Sequence, residues 1–326
     1  MSEIISNAVD GSQEELAERR LIGLREALGP LVMGALEDPD VVEVMLNDDG
    51  SLWVERFGSM ARVGDLSADA GMVILSQVSS ALNGELSKEN PFVEGELPLD
   101  GSRFEGVAPP VTERAIFAIR KKATRIYTLD DYVRAAVMTF DQAEILRAAI
   151  TGKLNVLVIG GTGTGKTTFC NALLHEISIR CPDVRMLILE DTRELQCSLE
   201  NRVFLRATEW TSLARLSSAV NRLRPDRISV GEVRAGGPAL EMLKLWNTGH
   251  PGGFCTVHAN SAYGGLTRMD QLIQEVSQSP QRILIAEAVN YAVFLKRTNN
   301  GRRVEEIVRV TGYESATERF LVEKVL

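Results

Sequence analysis

The stretch Gly160-Gly161-Thr162-Gly163-Thr164-Gly165-Lys166-Thr167 decides the fold of the second half of this 326-residue chain. It is a complete G-x-x-x-x-G-K-[ST] phosphate-binding loop. The apolar run Val156-Leu157-Val158-Ile159 precedes it, and apolar residues at helical spacing follow it: Phe169, Leu173 and Ile177. A strand, a glycine-rich loop and a helix in this order point backbone N–H groups at a phosphate beside a helix N-terminus. The sequence therefore predicts a site for a nucleoside triphosphate.

Single residues of this loop have predicted roles. Lys166 is expected to reach the β- and γ-phosphates, and Thr167 to offer its hydroxyl to Mg²⁺. A glycine-rich turn without a ligand is the alternative, and the agreement of strand, loop, Lys-Thr pair and helix argues against it. The residues expected to bind ATP are Gly161, Thr162, Gly163, Thr164, Gly165, Lys166, Thr167 and Thr168.

The composition is that of an ordinary soluble globular protein, with 44% hydrophobic and 25% charged residues. The net charge of −8 argues against a surface that coats nucleic acid, so no sequence-specific binding to nucleic acid is expected. The four cysteines lack C-x-x-C spacing and are predicted to be reduced thiols of a cytosolic protein. The N-terminal sequence predicts no signal peptide. No apolar run approaches the roughly 20 residues that span a bilayer, so any membrane association is predicted to be peripheral.

The first half of the chain, residues 1–123, mixes helical and alternating patterns. Asn47-Asp48-Asp49-Gly50 is a strong hairpin signal between the strand-like segments Val41–Leu46 and Ser51–Phe57. We therefore predict a small α+β domain with an antiparallel sheet. Its further elements are predicted as helices at Glu14–Leu36, ending near Gly29-Pro30, and at Asp69–Leu82, and as strands at Leu97–Val107 and Arg114–Arg120.

From about Asp141 the pattern changes to an alternation of strands and helices. After a predicted linker at 124–140, residues 141–326 are predicted to form an α/β domain with a mostly parallel sheet and helices on both faces. Continuous apolar runs fit strands that are buried on both sides. The predicted strands are Val156–Ile159, Val184–Leu189, Ile228–Val230, Phe254–Val257 and Ala292–Leu295.

Polar residues follow directly after several of the predicted strands. In open α/β sheets, ligands bind beyond the carboxyl ends of the strands. Glu190, Glu232 and His258 each follow a predicted strand, and Arg234 follows two residues after Glu232. We expect Glu190 to activate the attacking water and Glu232 to organise Mg²⁺ through water. Thr167 and Glu190 are expected as further residues of the Mg²⁺ site, partly through water. His258 and Arg234 are expected to sense or stabilise the γ-phosphate. The predicted chemistry is nucleotide hydrolysis.

Each of these side chains also has a structural interpretation. Glu190 is a possible helix N-cap, Glu232 a solvated turn residue and His258 a structural histidine. Gly231 stands where many phosphate-loop enzymes have an aspartate before the glutamate, and the chain has no Asn-Lys-x-Asp motif for guanine. These two features point away from GTPases and helicase-like ATPases.

Four motifs in fixed order resemble those of the secretion/traffic ATPase superfamily, which serves type II and type IV secretion, pilus dynamics and conjugation. They are the phosphate loop, an acidic box, a degenerate Walker B box and a histidine box, at Gly160–Thr167, Glu190–Glu194, Gly231–Arg234 and Gly249–Asn260. The resemblance implies a RecA-like ATPase domain that binds ATP and Mg²⁺. It also implies a homohexameric ring in the cytoplasm, docked on inner-membrane components of a secretion or conjugation channel.

The resemblance extends more loosely into the first half. Leu97–Arg103 and Ala115–Arg120 are similar to the family's segment that supplies nucleotide-contacting arginines, which implies catalytic roles for Arg103 and Arg120. A solvated strand arginine is the alternative for each. The chain lacks the tetracysteine insertion usual in type II secretion ATPases, and Asp38–Asn47 and Ile126–Tyr132 look most like the conjugative-transfer ATPases.

Three functions are therefore open at this point. The first is a ring-forming ATPase that powers conjugative DNA transfer or type IV secretion. The second is a pilus assembly or retraction motor of the same superfamily. The third is a nucleotide-gated scaffold that binds ATP without useful turnover, against which the presence of both Glu190 and Glu232 argues.

Overall fold

The computed structural model describes residues 2–56, 59–122, 126–208, 210–298 and 301–325, with side chains from Glu18 onward except at position 221. The chain divides into two compact units, Met1–Thr124 and Arg125–Leu326, each with its own hydrophobic core. The predicted domain boundary at 123/124 lies outside the described residues. In the described part of the chain, no helix is both long enough and apolar enough to cross a membrane.

The first unit packs two helices with a six-stranded antiparallel sheet, as predicted for an α+β domain. The sheet order is β3-β2-β1-β6-β5-β4, and every neighbouring pair is antiparallel. The elements are α1 (Ser2–Glu37), β1 (Val41–Leu46), β2 (Ser51–Arg56), β3 (Ser59–Asp65), α2 (Ala68–Ala81), β4 (Phe92–Glu96), β5 (Arg103–Val107) and β6 (Ile116–Arg120).

Local sequence signals explain most of this unit. The predicted hairpin joins β1 to β2, where Gly50 has a φ of 86° and its N–H donates to the Asn47 carbonyl at 3.0 Å. The helix predicted to end near Gly29-Pro30 instead kinks there, with Gly29 at φ 65°, and continues to Glu37. The strand predicted over Leu97–Val107 begins only at Arg103, because the preceding residues form a turn in which Gly101 N–H donates to Leu97 O.

The second unit alternates strands and helices. Its elements are α3 (Leu129–Arg134), α4 (Phe140–Thr151), β7 (Val156–Gly160), α5 (Lys166–Arg180), β8 (Met186–Glu190), β9 (Arg202–Arg206), α6 (Leu213–Val220), β10 (Arg227–Glu232), α7 (Gly236–Asn247), β11 (Phe254–Val257), α8 (Ala262–Gln274), α9 (Arg282–Ala288), β12 (Tyr291–Thr298), β13 (Gly301–Glu314) and β14 (Arg319–Lys324). Helices α3 and α4 begin within the segment predicted as a linker and belong to this unit.

The eight strands form one sheet in the order β14-β13-β12-β7-β11-β10-β8-β9. The six strands from β12 to β9 run parallel, and β13 and β14 extend the sheet antiparallel at one edge. Alternate residues of β7 enter two different cores: Leu157 and Ile159 pack into one, and Val156 and Val158 into the other. The predicted α/β fold with a mostly parallel sheet is confirmed.

This topology brings the carboxyl ends of the parallel strands to one edge. The phosphate loop follows β7, Glu190 ends β8, Glu232 ends β10 and His258 follows β11. Strands β7, β11, β10 and β8 are consecutive neighbours in the sheet. The polar residues that close the apolar runs are therefore neighbours in space.

Candidate nucleotide site

The phosphate loop has a backbone that only glycine accommodates well. Gly163 and Gly165 have φ values of 71° and 88°, in the left-handed region. At Gly160, a Cβ atom would lie 2.5 Å from Thr164 Oγ1 and 2.7 Å from Leu295 O, so a side chain has no room there. These three glycines let the chain curl tightly between β7 and α5.

Lys166 is the first residue of α5 and is buried. Its Nζ donates hydrogen bonds to the carbonyls of Gly160, at 3.0 Å, and Gly161, at 2.9 Å. The same Nζ lies 3.4 Å from His258 Nδ1. The ammonium group therefore stands beside the loop, at the point where β7 and β11 end.

Glu232 contacts both His258 and Arg234, next to Lys166. His258 Nε2 lies 2.7 Å from Glu232 Oε1, and Arg234 Nε donates to Glu232 Oε2 at 2.8 Å. Burial by itself raises the pKa of Glu232, but the Arg234 hydrogen bond and the nearby positive charges outweigh it and hold the pKa below its ordinary value. Burial and the Lys166 ammonium lower the pKa of His258, and Glu232 opposes that shift. At neutral pH the site thus holds an ionised carboxylate beside a neutral imidazole.

Thr167 contacts an acid that the sequence did not single out. Its Oγ1 donates to Glu194 Oε2 at 2.9 Å, and Asn171, one turn further along α5, donates to the Glu194 carbonyl. Glu194 belongs to the acidic box, but it lies in a loop without regular structure. No periodicity predicts the position of a loop side chain, so the contact with Thr167 follows only from the tertiary structure.

Glu190 is buried and is hydrogen-bonded to the backbone of the acidic loop, the loop that contains Glu194. Its Oε1 accepts the backbone N–H groups of Glu194, at 3.0 Å, and Leu195, at 2.7 Å. On the neighbouring strand, a Cβ atom at Gly231 would lie 3.3 Å from Glu190 Cγ. The glycine that replaces the usual aspartate therefore leaves space for the Glu190 side chain.

Two arginines that were not predicted lie beside the loop. Strand β12 pairs with β7 so that Leu295 lies opposite Gly160, and the following residues of β12 continue past the end of β7. Arg297 and Arg302 are cross-strand partners on β12 and β13. Arg302 Nε donates to the Gly163 carbonyl at 3.1 Å.

The predicted site residues fall into two groups. One edge of the second unit holds the loop residues Gly161 to Thr168 together with Glu190, Glu232, Arg234 and His258. Arg103 and Arg120 belong to the first unit, where they are cross-strand partners on β5 and β6. Arg120 Nε lies 3.3 Å from Glu43 Oε1. A contact of these two arginines with nucleotide stays a prediction.

The oxygen atoms at Thr167 and Glu194 suit a hard cation. Among the described residues, no group of three or more His, Cys, Asp or Glu side chains is placed to hold a metal ion. Mg²⁺ is usually held by one or two protein oxygens together with substrate phosphates. A threonine hydroxyl hydrogen-bonded to a carboxylate, one residue after the loop lysine, fits that mode of binding.

Comparisons with known proteins show the family of the chain. Residues 31–298 match the family described as Type II/IV secretion system protein. A probable conjugal transfer protein TrbB of Sinorhizobium fredii is 48% identical over 301 residues, which cover 92% of this chain and 92% of that protein. The conjugal transfer protein TrbB of Rhizobium radiobacter is 46% identical over 293 residues, covering 90% of each chain.

Among solved structures, the pilus retraction motor PilT with bound ADP matches with a TM-score of 0.60 and 19% identity, over 85% of this chain and 80% of that one. At that identity the likeness shows the fold alone. The chain belongs to the type II/IV secretion system protein family, since the matched segment covers most of its length. The predicted resemblance to traffic ATPases of type IV secretion and conjugation is confirmed, as is its closeness to the conjugative-transfer proteins.

Proposed function

We propose that this chain hydrolyses ATP at the loop Gly160–Thr167 and works as a ring-forming motor of a conjugative type IV secretion system. The observation that carries the proposal is the continuous contact of Lys166, His258 and Glu232 at the end of the loop, within 3.4 Å at each step. Beside a phosphate loop, an ammonium can bind phosphate oxygens, and an ionised carboxylate next to an imidazole can orient or deprotonate the attacking water.

Binding uses the loop backbone and Lys166. In the free protein the ammonium of Lys166 donates to the carbonyls of Gly160 and Gly161. We propose that it exchanges these neutral acceptors for the β- and γ-phosphate oxygens, because a phosphate adds the attraction between opposite charges to the hydrogen bond. The inward N–H groups of the loop complete the phosphate cradle.

From the sequence we predicted that Glu190 activates the attacking water. The geometry favours Glu232 for this role. Glu190 is buried, and its Oε1 is engaged by two backbone N–H groups. Glu232 is ionised and lies beside His258 and Lys166. We therefore propose Glu232 as the general base, with Arg234 orienting it and His258 reporting the charge at the γ-phosphate. Glu190 then holds the acidic loop in position.

Mg²⁺ is proposed to bind at Thr167, with Glu194 as the nearby acid. When bound, the ion neutralises negative charge on the phosphates. The contribution of the protein is the orientation of the Thr167 hydroxyl, which Glu194 fixes through the hydrogen bond at 2.9 Å. From the sequence we predicted that Glu232 organises Mg²⁺ through water. We now propose Glu194 for this role.

The assembly and its location are also proposals. The family membership supports a homohexamer at the cytoplasmic face of the inner membrane, docked on components of the channel. Arg103 and Arg120 would complete the phosphate shell from the same or a neighbouring chain. Relatives named as conjugal transfer proteins favour conjugation over a pilus motor.

The test is the turnover and nucleotide affinity of the purified full chain compared with Lys166→Ala. We expect the wild type to release phosphate from Mg·ATP, and the variant to lose hydrolysis and most ATP binding. Lys244→Ala, which removes a half-exposed lysine of α7 paired with Glu241, is the control. Equal turnover in the wild type and Lys166→Ala would refute the assignment of the loop.

A further inference from the structure

The register of the sheet places the end of β12 and the start of β13 beside the phosphate loop. Because Leu295 lies opposite Gly160, the segment Lys296–Thr298 runs alongside the loop that follows β7. Strand β13 returns antiparallel, with Arg302 opposite Arg297. Arginines of two neighbouring strands thus reach a loop that is more than a hundred residues away in the sequence.

Arg302 packs against Gly163 and Gly165, the two loop glycines whose backbone is in the left-handed region. Its Nε donates to the Gly163 carbonyl at 3.1 Å. A Cβ atom at Gly165 would lie 3.1 Å from Arg302 Cδ, so the stem of the arginine covers that glycine. Arg302 thus contacts the loop through both its side-chain stem and its Nε.

The hydrogen bond to Gly163 has a consequence for the inside of the loop. In a trans peptide the C=O and the N–H of the next residue point in opposite directions. With the Gly163 carbonyl turned to Arg302, the Thr164 N–H points away from Arg302. Rows of such N–H groups form the concave sites that bind anions.

The charges at this position also favour an anionic ligand. Like charges directly opposite each other on neighbouring strands are unfavourable, and Arg297 faces Arg302 in this way. Within the described ranges, no carboxylate forms an ion pair with Arg302. Two arginines thus bring positive charge to one side of the phosphate loop.

We infer that Arg302 is a positioning residue for nucleotide binding, which orients the Gly163–Thr164 peptide so that the loop presents its N–H groups to the diphosphate. The inference rests on the proposed function, since it concerns the same loop. It specifies that Arg302, through the loop peptide, supports binding of the diphosphate part of the nucleotide and not of the nucleoside.

The experiment measures the affinities of the full chain for inorganic pyrophosphate and for ADP by calorimetry, and the kinetics of ATP hydrolysis. For Arg302→Ala we expect both affinities to fall by about tenfold or more, to the same extent, as for loss of a charged hydrogen bond. The KM for ATP should rise, while kcat at saturating ATP stays within about twofold. Arg302→Lys should restore part of the affinity, because its ammonium can donate to the same carbonyl.

Arg303→Ala is the matched control, since this exposed neighbour on β13 lies near Glu305 and not near the loop. It should leave both affinities unchanged. Unchanged pyrophosphate binding in Arg302→Ala, or a loss confined to ADP, would overturn the inference. If Arg302→Ala does not fold, Arg302→Gln takes its place as the uncharged variant, and Arg302→Lys remains the variant that keeps the charge. A wild-type chain that binds neither ligand would instead refute the proposed function.

Discussion

His258 lies between the two charged groups that the proposed reaction uses. Its Nε2 is 2.7 Å from Glu232 Oε1, and its Nδ1 is 3.4 Å from Lys166 Nζ. Any movement of the Lys166 ammonium toward bound phosphates changes the electrostatic environment of the imidazole. We therefore expect the state of the nucleotide to be coupled to the protonation of His258.

The first prediction is that nucleotide binding raises the pKa of His258. In the free protein, burial and Lys166 lower this pKa. Bound phosphates would attract Lys166 and add negative charge, and both effects favour the imidazolium. An NMR titration of the three histidines, with His258→Gln to assign the signal, measures the shift with and without ADP. An identical pKa in the two states would contradict the coupling.

The same shift predicts how the stability of the free protein depends on pH. Because the folded-state pKa of His258 is lowered, the unfolded chain binds the proton more readily. The contribution of His258 to stability is therefore present above its ordinary pKa of 6.5 and is lost as the pH falls through the lowered folded value. In His258→Gln this part of the pH dependence should disappear from thermal unfolding curves.

The second prediction concerns the pair Thr167 and Glu194. Glu194→Gln keeps an oxygen that accepts the Thr167 hydrogen bond but removes the charge. We expect the Mg²⁺ concentration for half-maximal hydrolysis to rise by about 10- to 100-fold, as for other partners of metal ligands. Glu200→Gln, an exposed acid of the same connecting segment, is the control. Equal Mg²⁺ dependence in both variants would exclude Glu194 from the metal site.

Much of the site was predictable because the physical rules behind it are local. A buried parallel strand reads as a continuous apolar run, and the residue that ends it lies at the ligand-binding edge. This reasoning placed Glu190, Glu232 and His258 at one edge without any knowledge of their distances. The glycine pattern of the loop is equally local, because it reflects the backbone angles of Gly163 and Gly165.

The remaining features depend on the register between distant segments. Arg302 reaches Gly163 only because β12 pairs with β7 and β13 then turns back, and neither β13 nor β14 was predicted. Glu194 reaches Thr167 through a loop that Glu190 holds by backbone hydrogen bonds. The sequence also could not distinguish the buried Glu190 from the more accessible Glu232, because both end apolar strands.

The third prediction tests why glycine occupies position 231. A Cβ atom there would lie 3.3 Å from Glu190 Cγ, so Gly231→Asp would press a second carboxylate against the buried Glu190. We expect a loss of about 1–3 kcal/mol of stability and lower turnover, although the change introduces the usual aspartate. In a Glu190→Ala background the cost should be smaller, as thermal unfolding of the double-mutant cycle would show. An equal cost in both backgrounds would mean that the two side chains do not interact.

The fourth prediction concerns Arg120, whose guanidinium lies near Glu43 on the sheet of the first unit. We expect Arg120→Ala to lower turnover by about 10³-fold, as for an arginine that completes the phosphate shell, and Arg103→Ala to act in the same direction. Specific activity of the wild type should rise with protein concentration as rings form. Arg62→Ala, at an exposed pair with Asp65 in the same unit, is the control. Full turnover in Arg120→Ala would leave this arginine as a solvated strand residue.

The most direct measurement is the fate of ATP bound to Glu232→Gln. If Glu232 is the general base, the variant binds Mg·ATP with nearly wild-type affinity and retains it unconverted, with a rate at least about 100-fold lower in a single turnover. Glu190→Gln changes a side chain that holds the acidic loop through backbone hydrogen bonds. This variant should still convert its bound ATP to ADP in the same assay. Conversion of ATP to ADP by Glu232→Gln at the wild-type rate would contradict the proposed mechanism.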